Sequence, residues 1–503
     1  MSPRATLGLV AVLSGTFLAS ASPSLLWGDD AELQRIAITG EARAIGQSSA
    51  ASHLLWQIVA SAFVRWTTWL PMDEAGRVTL VSSIAAALAI LPLALTIRDS
   101  SRQVGLGTRA AAIGSVVGAV AFGLSHTFWL LASRPDAYTI QTFLLASALW
   151  GAVQTSEGRR AWPMLTVSVV AVGLALTNHV IILASVPGLV ILGVSRLRLT
   201  VRQRLRIAGA SSLVVGGAIA VAEVLGFPWR ALVSAILSYR PYVPSFRDAS
   251  LVLGYLAYQF PLSITLIGFA WVPLRRLRPA VWAGLATMYL GVVGLMLFRY
   301  HPEMYVRDQY IFYLPSYLPV AVVIGLGAGW VVENPPAWLR VRGPWLIGSL
   351  VAMVCAPVVV YPLAATVAGP IATRLAPSRV LPGRDPVWYY LWPPKTGYTG
   401  ARDYVTAAFD ALPLGAVVVA DWLPYQPMRY VQAVEGGRPD VRLEMINAGD
   451  GRQMSFLKAQ SVATLLFLAD VSPPPYYEID DIRACFDIEA VGVVYRLRRK
   501  GGC

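Results

Sequence analysis

Apolar runs of about 20 residues recur along this chain, each ended by a short polar gap, and this rhythm constrains the fold more than any motif does. The runs lie near residues 7–26, 78–97, 110–132, 137–155, 162–178, 180–195, 207–226, 251–273, 280–298, 310–332 and 344–366. The hydrocarbon core of a bilayer takes about 20 apolar residues of helix, so the pattern predicts an α-helical polytopic membrane protein with about eleven transmembrane helices. Composition points the same way: 56% of the 503 residues are hydrophobic, 14% are charged and the mean hydropathy is +0.57. A soluble domain of this length could not bury so much apolar side chain without exposing large patches.

The net charge of +13 comes almost entirely from arginine. With the N-terminus cytoplasmic, the inner gaps hold Arg98, Arg102 and Arg109, then Arg159 and Arg160, then Arg196, Arg198, Arg202, Arg204 and Arg206. Later inner gaps add Arg275, Arg276 and Arg278, then Arg340 and Arg342. Short basic loops face the cytoplasm. Arginines spread over many gaps mark orientation and argue against a nucleic-acid partner, which would need one basic face. This parity requires a tight hairpin at Thr177-Asn178-His179. It also places the first loop and the C-terminal tail on the outer side. A cleaved signal peptide ending near Leu18-Ala19-Ser20-Ala21 is the alternative for the N-terminus and leaves that loop outside as well. Residues 51–70, with Trp56, Trp66 and Trp69, read as a helix lying on the outer membrane surface rather than as a crossing.

Three regions follow. Residues 1–366 form the transmembrane domain with its first outer loop at 27–77. Residues 367–397 are a linker rich in proline and aromatics, including Trp388, Tyr389, Tyr390 and Trp392. Residues 398–503 read as a small soluble extracytoplasmic α/β domain. Its helices are expected near 400–411, 425–435 and 451–460, and its strands near Ala416–Ala420, 441–446 and Thr464–Leu468. The cysteines, Cys355, Cys485 and Cys503, lack metal-ligand spacing. A Cys485–Cys503 disulfide is an option that spacing alone does not select.

The residues suited to chemistry lie on the expected outer side. Asp29, Asp30 and Glu32 follow the first apolar run, and in a helix Asp29 and Glu32 share a face with Arg35 one turn on. Such a cluster can orient a substrate, move a proton or hold a divalent cation; an ordinary helix start with Asp29 or Asp30 as N-cap is the competing account. Arg134, Asp136 and Tyr138 form a short turn, which an Arg134–Asp136 ion pair capping the next helix explains equally well. His53 and His179 are read as hydrogen-bonded structural residues or as substrate contacts. Arg307 and Asp308 stand at an outer membrane edge, where a lipid phosphate would lie and arginine offers it a planar fork; an ordinary juxtamembrane charge pair explains them equally well. Phosphate-binding glycine loops, zinc motifs, serine elbows and dinucleotide fingerprints are absent from the sequence.

These residues carry a family resemblance. Gly28-Asp29-Asp30-Ala31-Glu32-Leu33, Ser52-His53-Leu54-Leu55-Trp56, Ser125-His126-Thr127-Phe128-Trp129, Asp136-Ala137-Tyr138 and Asn178-His179 resemble a bacterial family of polytopic proteins. That family is related to the animal transmembrane protein O-mannosyltransferase and is placed among GT-C type glycosyltransferases. Arg307-Asp308-Gln309-Tyr310 and Tyr313-Leu314-Pro315-Ser316-Tyr317 resemble a later block of the family, and Ala420-Asp421-Trp422 and Arg438-Pro439-Asp440-Val441 are also similar to its members. The chain departs from the family in reading Asp29-Asp30-Ala31-Glu32-Leu33 for Asp-Ser-Gly-Glu-Leu and Asp136-Ala137-Tyr138 for Glu-Val-Tyr. It also lacks the prolines expected after His53.

The resemblance implies a bacterial inner-membrane enzyme that transfers a sugar, mannose being the family's model, from a polyprenyl-phosphate donor to a protein or glycan acceptor. Asp29 is implied as general base with Glu32 as its catalytic partner. Asp30, His53, Arg134, Asp136, Tyr138, His179, Arg307 and Asp308 are implied as substrate-binding residues. Neither a cofactor nor a metal is expected, with a cation at Asp29, Asp30 and Glu32 as the unfavoured alternative. A transporter or flippase of lipid-linked glycans, with ionisable groups at mid-membrane, and a non-catalytic scaffold are the competing classes.

Overall fold

The computed structural model describes residues 3–41, 53–155, 161–194, 201–224, 243–299, 309–336, 343–375, 379–449 and 451–503. The chain opens with α1 (Pro3–Ser20), α2 (Asp29–Thr39), α3 (Leu54–Trp66) and α4 (Glu74–Gln103). α5 (Thr108–Gly123) and α6 (His126–Ala132) meet at a 67° bend. Then come α7 (Tyr138–Gln154), α8 (Ala161–Asn178), α9 (Val186–Val194) and α10 (Val201–Val224). α11 (Phe246–Gln259) turns by 107° into a segment that includes α12 (Leu266–Phe269). α13 (Trp271–Arg276), α14 (Pro279–Arg299) and α15 (Leu314–Glu333) follow, and α16 (Gly343–Cys355) bends by 42° into α17 (Pro357–Leu375).

Among the described residues, three helices are long and apolar enough to cross a membrane, Glu74–Gln103, Pro279–Phe298 and Ile311–Glu333; there are six if each bent pair is one span. The apolar runs of the sequence outnumber them because a run continues through breaks that a helix does not. Pro261 and Pro357 stand at two of the bends, where proline removes a backbone donor and clashes with the preceding turn. The run at 180–195 splits into a 3₁₀ turn at Val180–Ala184 and the nine-residue α9.

The chain divides into two compact units. The first gathers the described parts of Met1–Ser20, Arg43–Trp56 and Ser82–Ala364. In it α5 and α15 cross closely where Ala110, Gly114 and Gly118 meet Ala321, Gly325 and Gly329, spaced by four in both helices. A Cβ added to Gly114 would lie 2.4 Å from the Gly325 carbonyl oxygen, and one on Gly118 would lie 2.6 Å from that of Ala321. The helices thus touch backbone to backbone, the contact small residues permit where lipid gives no hydrophobic drive to association. The hydroxyl of buried Tyr361 on α17 lies 3.3 Å from the Leu124 carbonyl and 3.2 Å from that of Gln259. These carbonyls stand where α5 and α11 break, so one side chain serves acceptors at both bends.

The second unit comprises the described parts of Ala21–Ala42, Gln57–Val81 and Ala365–Cys503. Its C-terminal part runs α18 (Pro386–Leu391), α19 (Gly400–Ala411), β1 (Val417–Ala420), α20 (Trp422–Glu435), β2 (Arg442–Met445), α21 (Arg452–Ala459), β3 (Leu466–Leu468), α22 (Ile479–Cys485), β4 (Phe486–Val491) and β5 (Val494–Arg499). The sheet order is β2-β1-β3-β5-β4; β1 is parallel to β2 and β3, and β5 is antiparallel to β3 and β4. Successive strand residues point to opposite faces. Val418, Ala420 and Phe467 therefore enter one core with Tyr404, Phe409 and Tyr430, while Val417, Val419 and Leu468 enter another with Leu457, Ile482 and Phe486. Leu25, Leu26, Trp27 and Ala31 of the first loop belong to the first of these cores.

Beyond the C-terminal ends of β1 and β3, buried Arg379 pairs with Asp421 and Asp470, one of its bonds to Asp421 measuring 2.9 Å. Burial pushes the Asp421 carboxyl up while the Arg379 guanidinium pulls it down. A disulfide joins Cys485 to Cys503.

Candidate functional site

In the second unit the three acids occupy the first turn of α2, where the positive end of the helix dipole favours them. Neither Asp29 nor Asp30 is the N-cap, contrary to that reading of the sequence. Gly28 holds the position with φ 56°, a left-handed conformation that glycine adopts without strain. Its N–H donates to the Leu423 carbonyl at 3.3 Å, and a Cβ there would come within 3.0 Å of the Leu423 side chain. The start of α2 is thereby seated against the start of α20.

The three carboxylates have different surroundings. Asp29 is exposed, and its Oδ1 accepts the indole N–H of Trp422 at 2.6 Å. Asp30 is 4% exposed and accepts the Tyr389 hydroxyl at 3.2 Å; Glu32 is 3% exposed. The single face expected for Asp29, Glu32 and Arg35 thus spans an exposed acid and two buried groups, and Arg35 pairs with Glu41. Among the described residues no group of three or more His, Cys, Asp and Glu is placed to hold a metal ion, the α2 acids included. Behind the helix Gln34 binds the carbonyls of Ser24 and Ala75 and the N–H of Leu26, fixing the loop that leads into the cluster.

The first unit gathers His53, Arg134, Asp136, Tyr138 and His179. Asn178 joins the parts: its carbonyl lies 3.0 Å from His53 Nδ1, its Oδ1 accepts the Trp56 N–H at 3.2 Å, and its Nδ2 donates to Ala137 at 2.9 Å. His179 Nδ1 accepts the Ile181 N–H at 3.1 Å, so the neutral ring carries its proton on Nε2 and donates it to the Tyr138 hydroxyl, 3.0 Å away. The rings of His53 and His179 stack with centroids 5.3 Å apart. Burial holds His53 down to about 4, and burial together with His53 lowers His179 as well, so the pair is neutral near pH 7.

Asp136 behaves as a helix-start residue. Its Oδ1 accepts the Tyr138 N–H at 2.7 Å, its carboxylate lies 3.8 Å from Arg134, and Ser82 binds its backbone on both sides. Arg307 and Asp308 fall outside the described residues. The structure thus brings Asp29, Asp30 and Glu32 together in one unit, and His53, Arg134, Asp136, Tyr138 and His179 in the other. Trp422, Tyr389 and Asn178 were not among the site residues expected from sequence. Trp422 had a signal, since it stands two residues beyond a buried strand and α/β sheets place ligands beyond the carboxyl ends of their strands.

Residues 53–202 match the model of the protein O-mannosyl-transferase TMEM260 N-terminal domain. This segment is similar to that domain. It contains the His53, Asn178 and Tyr138 network but not the acids of α2. The fold of the chain, mostly helical with a small C-terminal sheet, has solved counterparts over its full length. It superposes on ArnT from Cupriavidus metallidurans bound to undecaprenyl phosphate with a TM-score of 0.57 at 14% identity, covering 100% of this chain and 99% of that one. The arabinofuranosyltransferase AftD from Mycobacteria gives 0.52 at 15% identity, covering 99% of this chain and 42% of that chain. No curated protein matches the chain.

Proposed function

We propose that the chain is a membrane glycosyltransferase that moves a sugar, mannose as first candidate, from a polyprenyl-phosphate carrier to a protein or glycan hydroxyl outside a bacterial inner membrane. Asp29 carries this reading: of the three acids only it reaches solvent, and an indole donor fixes one of its oxygens. An acceptor O–H gives its proton to Asp29 as the oxygen attacks the anomeric carbon. The bond from that carbon to the phosphate oxygen breaks, the electron pair leaves with the lipid phosphate, and attack from the opposite face inverts the centre. Glu32 and Asp136 are assigned to orienting sugar or acceptor hydroxyls, and Arg134 and Arg307 to the charge growing on the leaving phosphate. Asp30, His53, Tyr138, His179 and Asp308 complete the binding set. Tyr138 and His179, hydrogen-bonded to each other, and His53, stacked on His179, suit shaping a wall better than moving a proton.

Full-length likeness to a protein solved with undecaprenyl phosphate supports a lipid-phosphate donor, and the matched family model supports O-mannosyl transfer. We place the N-terminus in the cytoplasm, about eleven crossings in residues 1–366, a linker at 367–397 and residues 398–503 outside. The Cys485–Cys503 disulfide supports that side, since disulfides persist in oxidising compartments.

The test uses the purified chain in detergent with a panel of polyprenyl-phosphate sugars, measuring sugar release with and without acceptors. Acceptor-stimulated release is expected, and Asp29→Asn should lower it by about 10²–10⁴-fold with thermal stability unchanged. Undiminished release in that variant removes Asp29 from the mechanism.

A further inference from the structure

An apolar cavity of about 300 Å³ opens between α11, α12, α13, α14 and α15, lined by Leu256, Leu274, Trp282, Leu285, Tyr289 and Val323 among others. No charged side chain lines it. One end is different. Leu274 is followed directly by Arg275 and Arg276, and the Arg278 carbonyl accepts the N–H of Trp282 at 3.2 Å, placing Arg278 one turn before that cavity residue. All three arginines are exposed. Arg275 stands over the Trp271 ring at 4.2 Å and Arg276 over the Trp330 ring at 4.7 Å. Among the described residues none of the three pairs with a carboxylate; Glu333, on the same helix as Trp330, lies 3.3 Å from the Gly107 N–H instead.

We infer that this end of the first unit binds an anionic phospholipid of the cytoplasmic leaflet, with its phosphate on Arg275, Arg276 and Arg278 and an acyl chain in the groove. Guanidinium groups stacked on rings keep their edge N–H donors for phosphate. Trp271 and Trp282, 60% and 53% exposed, are the aromatics expected at a headgroup boundary. The arginine-rich gap assigns this end to the cytoplasmic face. An acyl chain gains little by leaving other acyl chains for an apolar groove. Selectivity therefore resides in the headgroup, and three cations with no acidic partner among the described residues select negative charge.

Native mass spectrometry of the full chain in detergent, titrated with phosphatidylglycerol or phosphatidylcholine, tests this. Phosphatidylglycerol should bind the more tightly. The Arg275→Gln, Arg276→Gln, Arg278→Gln variant should lose affinity for it by about 100-fold, each arginine contributing about fivefold, with phosphatidylcholine unaffected. Ala286→Phe, which fills the groove, should weaken both lipids. These arginines are surface side chains; should the triple variant aggregate, Arg278→Gln alone gives the fivefold readout. Equal affinity for the two lipids, or unchanged phosphatidylglycerol binding in the arginine variants, overturns the proposal. Displacement by an equimolar amount of undecaprenyl phosphate also overturns it, since the groove would then belong to the carrier.

Discussion

The bond from Trp422 to Asp29 sets the character of the proposed base. An indole N–H only donates, so it stabilises the ionised carboxylate without bringing a second charge or competing for the proton. A hydrogen bond to a charged group contributes about 1.5–3 kcal/mol. The bond also aims the other oxygen, and loss of that orientation decides the rate: Trp422→Phe should lower kcat for acceptor-stimulated sugar release by about 10–100-fold and leave the KM for the lipid donor unchanged. A raised KM with kcat intact would make Trp422 a binding residue instead. The acids themselves were legible because carboxylates gathered beside an apolar run call for an explanation. Their partner was not: Trp422 lies 393 residues further on, and no periodicity connects such positions. The helix start was misread for a local reason, since the chain reaches α2 through a backbone angle that glycine, not aspartate, adopts easily.

At the scale of elements, the crossing of α5 with α15 is decided by glycine. A Cβ on Gly325 would come within 2.5 Å of the Ile97 side chain and 2.8 Å of the Gly114 carbonyl oxygen. Gly325→Leu should cost about 1–3 kcal/mol or more from overpacking. Gly216→Ala on α10, with nothing within 4 Å of an added Cβ, should be neutral or gain up to about 1 kcal/mol. Thermal unfolding of the purified chain compares them, and equal midpoints would contradict the backbone contact. The apolar runs made the helices legible, and Pro261 and Pro357 mark two of the bends within them. The buried run Val417–Ala420 and its neighbours made the three parallel strands legible. The β4–β5 hairpin escaped because Arg496, Arg498 and Arg499 give β5 a polar appearance, and its outer partner β4 is the exposed edge of the sheet.

Across the molecule, the proposed orientation rests on the distribution of arginine. In spheroplasts of a Cys355→Ala background, Val462→Cys, at an 81% exposed position, should react with an impermeant maleimide. Arg278→Cys should react only after permeabilisation. The reverse pattern would turn the proposed topology over. The second unit takes up the chain again at Ala365. That this unit also claims the first loop was not legible, because the packing of Trp27 on Tyr404 joins segments that differ in hydropathy and lie far apart in sequence.

That packing imposes an order on biosynthesis. Leu25, Leu26 and Trp27 leave the ribosome early, but the side chains that cover them, and the hydroxyl of Tyr398 that binds the Trp27 indole, are made only after nearly four hundred residues. Until then the acidic turn lacks its partners Tyr389 and Trp422. A chain stopped short of that point would therefore not be a weaker version of the whole; its earliest apolar surface would be left open to chaperones and proteases.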